Sequence, residues 1–232
     1  MKLLTKNQLK ILAIVCMTLD HIGAAFFPQA VWLRVIGRLA FPLFSYCIAE
    51  GCRYTRNKAR YFGSVFACGA VCVIAFLPFG SFYGNALITL SLSILLLYGV
   101  EAWKSSGKLR FLALTAALAA VFYLLCRTVY IDYGFAGVLL PVYAAAGRIL
   151  WERVFADIPP VIGERLGFAV GLLALAGVMG GVQRFCVLAI FPILLLGNER
   201  GKWKMKHFFY LYYPSHLAVI GALQMALEAA AG

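Results

Sequence analysis

The sequence predicts an all-α fold: a polytopic bundle of about nine transmembrane helices, with the amino terminus in the cytoplasm and the carboxyl terminus outside. Three observations predict it. Of 232 residues, 63% are hydrophobic and only 13% charged, too little polar surface to cover a soluble globule, so a bilayer must supply the apolar solvent. Apolar runs long enough to cross a hydrocarbon core of about 30 Å recur along the whole chain. The basic residues gather in short turns between those runs. No Ser-rich or charged linker and no repeat with a period of about 20 to 50 residues breaks the pattern, so residues 1–232 read as a single integral membrane domain.

The spans are expected near 9–27, 31–52, 61–79, 84–103, 109–126, 134–150, 163–179, 182–197 and 207–228. The first has the outline of a signal peptide, but Asp20 and His21 interrupt it and no small-residue cleavage site follows, so it reads as a membrane helix. The connection at 28–30 is short, which makes the second span its antiparallel neighbour. Pro42 in the second span and Pro214 in the last each conflict with the carbonyl four residues earlier, loosening the helix at Arg38 and just before His216. Packing explains Pro141 and Pro192 equally well.

With nine spans and a cytoplasmic amino terminus, every one of the 21 Lys and Arg residues except Arg34, Arg38, Arg127 and Arg184 falls on the inner side. Basic residues near helix ends are retained on that side, and this asymmetry sets the orientation in the cell membrane. Trp103, Trp151 and Trp203 then form an inner interfacial belt, with Trp32 outside. In this pattern a net charge of +12 is a topology signal, and the partners it implies are membrane lipids rather than nucleic acid. The seven cysteines lie mostly inside apolar stretches without zinc-type spacing, so they are read as small hydrophobes and no metal is expected.

The four remaining arginines call for partners at the outer ends of helices, where Asp20, His21 and Asp132 are expected at similar depth. Ionisable groups inside a membrane are costly, and they face the bundle interior when they have a task. Asp20 and His21 are about 100° apart on a helix, so they cannot pair with each other and must serve different partners. Arg34 and Arg38 share one face of the adjacent span, so a contact from Asp20 to either is expected. Lys10 precedes His21 by eleven residues, about 16.5 Å of rise and within about 20° of the same face, so one groove would touch both. His21 would act as a base near neutral pH and Lys10 as a phosphate partner at the cytoplasmic mouth, although a lysine at a helix start is equally an interfacial anchor. His216 sits in a polar strip with Tyr210, Tyr212, Tyr213 and Ser215, which serves either catalysis or an interhelical hydrogen bond. His207 borders the basic run 200–206 and reads as interfacial.

Five strings, MTLDHIGAAFFP (17–28), LRVIGRLAFPLFSYCIAEG (33–51), YGNALITLSL (83–92), DYGFAGVLL (132–140) and FYLYYPSHL (209–217), together resemble the TraX family, in order and over most of the chain. TraX proteins are polytopic membrane acetyltransferases, named for the one that acetylates the amino terminus of conjugative pilin, and they look distantly like the acyltransferase-3 group. In that group a basic residue, ten intervening residues and a His mark the first helix; Lys10 and His21 match the spacing, with Lys where the group often has Arg. An arginine motif also recurs there, but Arg34 and Arg38 are spaced differently. The resemblance implies acetyl-CoA as acyl donor and an acceptor amine or hydroxyl, on a pilin-like peptide or cell-surface glycan at the outer face. Resemblance and topology together make His21 the expected general base, with Arg34 or Arg38 on the oxyanion, Asp20 orienting the arginines and His216 a second acid or base. Lys10, Arg53 and Arg56 would meet CoA phosphates, and Glu50 either binds donor or pairs with Arg53. Direct transfer and an acetyl-histidine intermediate at His21 use the same residues. The alternative is a transporter or flippase of a small anionic or lipid-linked substrate, which internal repeats would favour and none is seen. A scaffolding subunit of a secretion apparatus would need no membrane His and Arg cluster.

Overall fold

The fold was obtained as a computed structural model, which describes residues 4–77, 84–197, 199, 201 and 206–231, without the side chains of Phe76, Lys206, His207 and Ala231. Lys2, Arg200, Lys202, Trp203, Lys204 and the interfacial reading of His207 therefore lie outside the described residues.

Helices occupy all nine predicted segments: α1 (Lys6–Phe26), α2 (Val31–Gly37), α3 (Ala40–Tyr54), α4 (Lys58–Phe76), α5 (Ala86–Ser106), α6 (Leu109–Thr128), α7 (Gly134–Val154), α8 (Pro160–Met179), a 3-10 helix (Gly181–Ala189), α9 (Ile190–Leu194) and α10 (Lys206–Ala231). Among the described residues, seven segments are long and apolar enough to cross a membrane: α1, the α2–α3 pair taken together, and α4 to α8. The protein is thus a multi-pass helical membrane protein.

Two expectations change. The second span is broken at Arg38–Leu39, with α3 restarting at Ala40. Pro42 has no N–H to give the Arg38 carbonyl, so the helix is interrupted where the sequence places the conflict. The eighth span, 182–197, is corrected: Gly181–Leu194 is a 14-residue stretch wound largely as 3-10 helix, short of the roughly 20 residues a crossing takes. Gly180 and Gly181, both at positive φ, end α8 and set the tighter winding, which hydropathy does not register. The ninth, 207–228, is helical as α10 but is not among those seven segments, so neither nine crossings nor opposite-side termini follow from counting spans.

The chain divides into two compact units, residues 1–44 with 180–232, and residues 45–179. In the first, Thr5 caps α1 through a reciprocal box with Gln8, and α1 then runs unbroken past Asp20 and His21. Its core joins Cys16 and Met17 of α1 to Ala40, with Tyr212 and Tyr213 of α10 against them. In the second, Asn85 caps α5 and also donates to the Gly69 carbonyl of α4 at 2.8 Å. Thr89 and Ser93 of α5 donate to the carbonyls of Asp132 and Val138. Gly147 of α7 meets the backbone of Gly163 and Gly167 on α8, so those helices approach as closely as residues without Cβ allow.

Candidate active site

The first unit holds the polar cluster that the sequence anticipated, assembled from α1, α2, the 3-10 helix and α10. Asp20, 8% exposed, is the hub. Arg34 donates from Nη1 to the Asp20 carbonyl oxygen and lies 3.0 Å from its Oδ2, and Arg38 binds the same Oδ2 through Nη2. The sequence asked for Asp20 to meet one arginine, and it meets both. Gly37 makes this approach feasible, because a Cβ there would collide with the Asp20 side chain. Arg38 is further held by Gln183, whose Oε1 accepts from Nη1 at 3.1 Å. Asp20 Oδ1 and Gln183 Nε2 are buried with no hydrogen-bond partner among the described residues. Orphaned polar atoms at such depth are costly and cluster where a polar ligand or water is bound.

His21 faces elsewhere, as its 100° offset from Asp20 requires. Its Nδ1 lies 2.8 Å from Nε2 of His216, and the rings stack at 5.0 Å between centroids. His216 is buried, and its Nδ1 is 2.9 Å from the Tyr212 carbonyl. Tyr212 stacks nearly parallel on His216, and its hydroxyl lies 2.8 Å from Thr18 Oγ1. Pro214 sits inside α10 between these contacts, and the helix continues through it. Lys10 lies on the same unbroken α1, with Nζ 5.4 Å from the centre of the Phe209 ring.

The other expected donor-binding residues belong to the second unit. Arg53 donates to Glu164 at 2.5 Å and to the Tyr54 hydroxyl at 3.1 Å, so its carboxylate is Glu164. Glu50 is half-buried and Arg56 exposed. Asp132 also falls in this unit, and its carbonyl takes the Thr89 hydroxyl. Arg127 and Arg184 are exposed, without an ion pair among the described residues.

Gln183 and Thr18 are members of the site that the sequence did not point to. Gln183, Cys186 and Ala189 form the buried face of the 3-10 helix, a three-residue period that places Arg184 outward. Scanning that segment at period three, rather than assuming an α-helix, would have selected the glutamine. Thr18 was missed because a helical threonine normally satisfies its own backbone, as this one does with the Ile14 carbonyl.

A multi-pass helix bundle that sets a histidine pair, one of them buried, beside a carboxylate holding two arginines is a membrane protein with ionisable groups gathered inside one unit. Its sequence places it more closely: residues 5–224 match the family described as TraX protein, and the chain belongs to that family. It is 29% identical to a probable fimbrial assembly protein, FimC of serogroup H1, from Dichelobacter nodosus, over 95% of this chain and 96% of that one. Protein TraX of Escherichia coli is 25% identical over 95% of this chain and 87% of its own. An uncharacterized protein of Rickettsia prowazekii is 47% identical over a shorter stretch, 24% of this chain and 22% of that one. No solved structure matches.

Proposed function

We propose that this protein is a membrane acyltransferase, moving an acetyl group from acetyl-CoA on the cytoplasmic side of the cell membrane to an amine or hydroxyl acceptor at the outer side. The observation that carries the reading is the juxtaposition on one turn of α1 of His21, bonded through only one ring nitrogen, with Asp20, which gathers two guanidiniums onto one carboxylate. His21 takes the proton from the attacking amine or hydroxyl as that group adds to the thioester carbonyl. The resulting oxyanion needs a fixed positive charge in a site of low dielectric, and one carboxylate between two arginines leaves that charge available. Arg34 suits this task better than Arg38, its side chain being 33% exposed against 16%. Collapse of the tetrahedral species breaks the C–S bond, and the CoA thiolate takes up the proton.

The histidine–arginine geometry and the TraX resemblance support acyl transfer over transport, and the relatives' names make a pilin-like peptide the first acceptor to try. Lys10, about 16.5 Å along the same straight helix, would meet a CoA phosphate while the pantetheine arm extends toward His21. The test is acetyl-CoA binding by calorimetry, with release of CoA thiol on adding a pilin-like amino-terminal peptide as acceptor, on detergent-purified wild type, His21→Ala and Lys10→Ala. Wild type should bind at micromolar concentration, Lys10→Ala should bind more weakly, and His21→Ala should bind but release no thiol. A folded wild type that binds no acetyl-CoA overturns the reading in favour of a transporter.

A further inference from the structure

Two contacts decide which nitrogen of His21 is basic and where its proton goes. A carbonyl oxygen can only accept, so the 2.9 Å contact to Tyr212 places a hydrogen on His216 Nδ1. A neutral His216 then carries its lone pair on Nε2. The 2.8 Å contact to His21 therefore requires His21 Nδ1 to donate, which leaves the lone pair of neutral His21 on Nε2. That atom has no hydrogen-bond partner among the described residues.

The arrangement is braced one turn away. Thr18 donates its single hydrogen to the Ile14 carbonyl, so the Tyr212 hydroxyl must be the donor to Thr18 Oγ1. Thr18 precedes His21 by three residues and Tyr212 precedes His216 by four, so each pair lies on one helix face and α1 and α10 are joined by two rungs. The rungs hold the imidazoles at hydrogen-bonding distance.

We infer that His216, anchored by the Tyr212 carbonyl, is a positioning residue that fixes His21 in its Nδ1–H tautomer and receives a proton from it during turnover. This rests on the acyltransferase reading for the direction of proton travel, whereas the tautomer follows from the contacts alone. As the acceptor attacks, its proton binds His21 Nε2 and the Nδ1 hydrogen passes to His216 Nε2. His216 becomes an imidazolium whose Nδ1–H still faces the Tyr212 carbonyl, with the Tyr212 ring stacked on it at 5.3 Å and Tyr213 edge-on at 5.6 Å. When the C–S bond breaks, His21 Nε2 returns a proton to the CoA thiolate and Nδ1 recovers its hydrogen from His216. The acetyl group has then moved, CoA leaves as the thiol, and both rings are reset.

Nitrogen-15 NMR of histidine-labelled protein in nanodiscs tests this, since the chain has three histidines and a His207→Gln background leaves two. Wild type should show His21 protonated at Nδ1 and bare at Nε2, the reverse of the tautomer an isolated imidazole prefers. His216→Phe should release His21 to that ordinary form and lower thiol release about 100-fold. His216→Gln, which still accepts from His21 but cannot hold its proton, should keep the tautomer and lose about tenfold. A wild-type His21 protonated at Nε2, or His216→Gln turning over like wild type, overturns the inference even if the protein transfers acetyl groups. If the tautomer is as stated but wild type never releases thiol, the acyltransferase reading and the proton transfer fail together and the tautomer lock stands. If His216→Phe does not fold, the wild-type spectrum and His216→Gln decide.

Discussion

Both units of this protein bury charges, but they balance them differently. In the second unit Arg148, 8% exposed, lies between Glu101 and Glu152, Lys104 also binds Glu152, and Arg53 binds Glu164. Three cations meet three carboxylates across α3, α5, α7 and α8. In the first unit two guanidiniums meet one carboxylate, whereas buried polar atoms without a hydrogen-bond partner among the described residues occur in both units, Asp20 Oδ1 and Gln183 Nε2 in the first and Ser45 Oγ and Trp151 Nε1 in the second. The paired charges of the second unit join helices, and Arg53, Glu101, Arg148 and Glu164 among them line a cavity with Ala49, Cys52, Leu97 and Ala145, whereas an arginine pair sharing one aspartate keeps a net positive charge at a fixed place. Buried ion pairs add little net stability but are expensive to break, which suits a structural clamp.

The sharpest way to break that contrast is to remove charge from the first unit. Arg34→Gln keeps the bulk and some hydrogen bonding but removes the more exposed guanidinium. Loss of one preorganised donor to an oxyanion costs about 100- to 1000-fold in rate. CoA-thiol release per folded molecule should fall by that order, while thermal unfolding in detergent changes little. Equal losses of activity and stability would mean that Arg34 is only a brace for Asp20.

The second unit should respond in the opposite way. Glu164 is 3% exposed, and Glu164→Gln leaves the Arg53 guanidinium without its carboxylate. Breaking a buried pair from one side costs about 3–5 kcal/mol. The variant should unfold at markedly lower temperature, yet each folded molecule should bind acetyl-CoA as wild type does. Replacing both partners, Arg53→Met with Glu164→Leu, should recover most of the stability, because no lone buried charge remains. If the double replacement instead abolishes acetyl-CoA binding, Arg53 meets the donor and the network is part of the site.

How much of this was legible in the sequence follows the same division. The Asp20 contact with Arg34 and Arg38 was readable because the partners lie on consecutive spans joined by a short turn, where helical phase is enough. The His21–His216 bond joins residues 195 apart, and no periodicity says that α10 packs against α1. The strings that carried the family resemblance divide as well: those around 17–28 and 209–217 supply the two rungs, whereas those at 83–92 and 132–140 supply Asn85, Thr89 and the Asp132 carbonyl, which tie helices together. Arg148 and Lys104 were counted as cytoplasmic anchors, because a positive-inside tally sees only position along the chain. Whether a helix-end cation finds a carboxylate on a neighbouring helix is decided by packing.

Glycine positions give the smallest and most local form of the comparison. A methyl group on Gly147 of α7 would meet the backbone of Gly163 and Gly167, which cannot move aside, so Gly147→Ala must push two helices apart. Overpacking of this kind costs about 1–3 kcal/mol, and it should read as a lower unfolding temperature with unchanged thiol release per folded molecule. On Gly37 the same methyl would meet the Asp20 side chain, which can rotate at the expense of its grip on Arg34 and Arg38. Gly37→Ala should therefore cost less stability than Gly147→Ala and more activity, on the order of tenfold, since a misplacement of about 1 Å at a catalytic group has effects of that size or larger. If both alanines lower stability alike and neither changes thiol release, the aspartate–arginine cluster is as structural as the ion pairs of the second unit, and its net charge has another explanation.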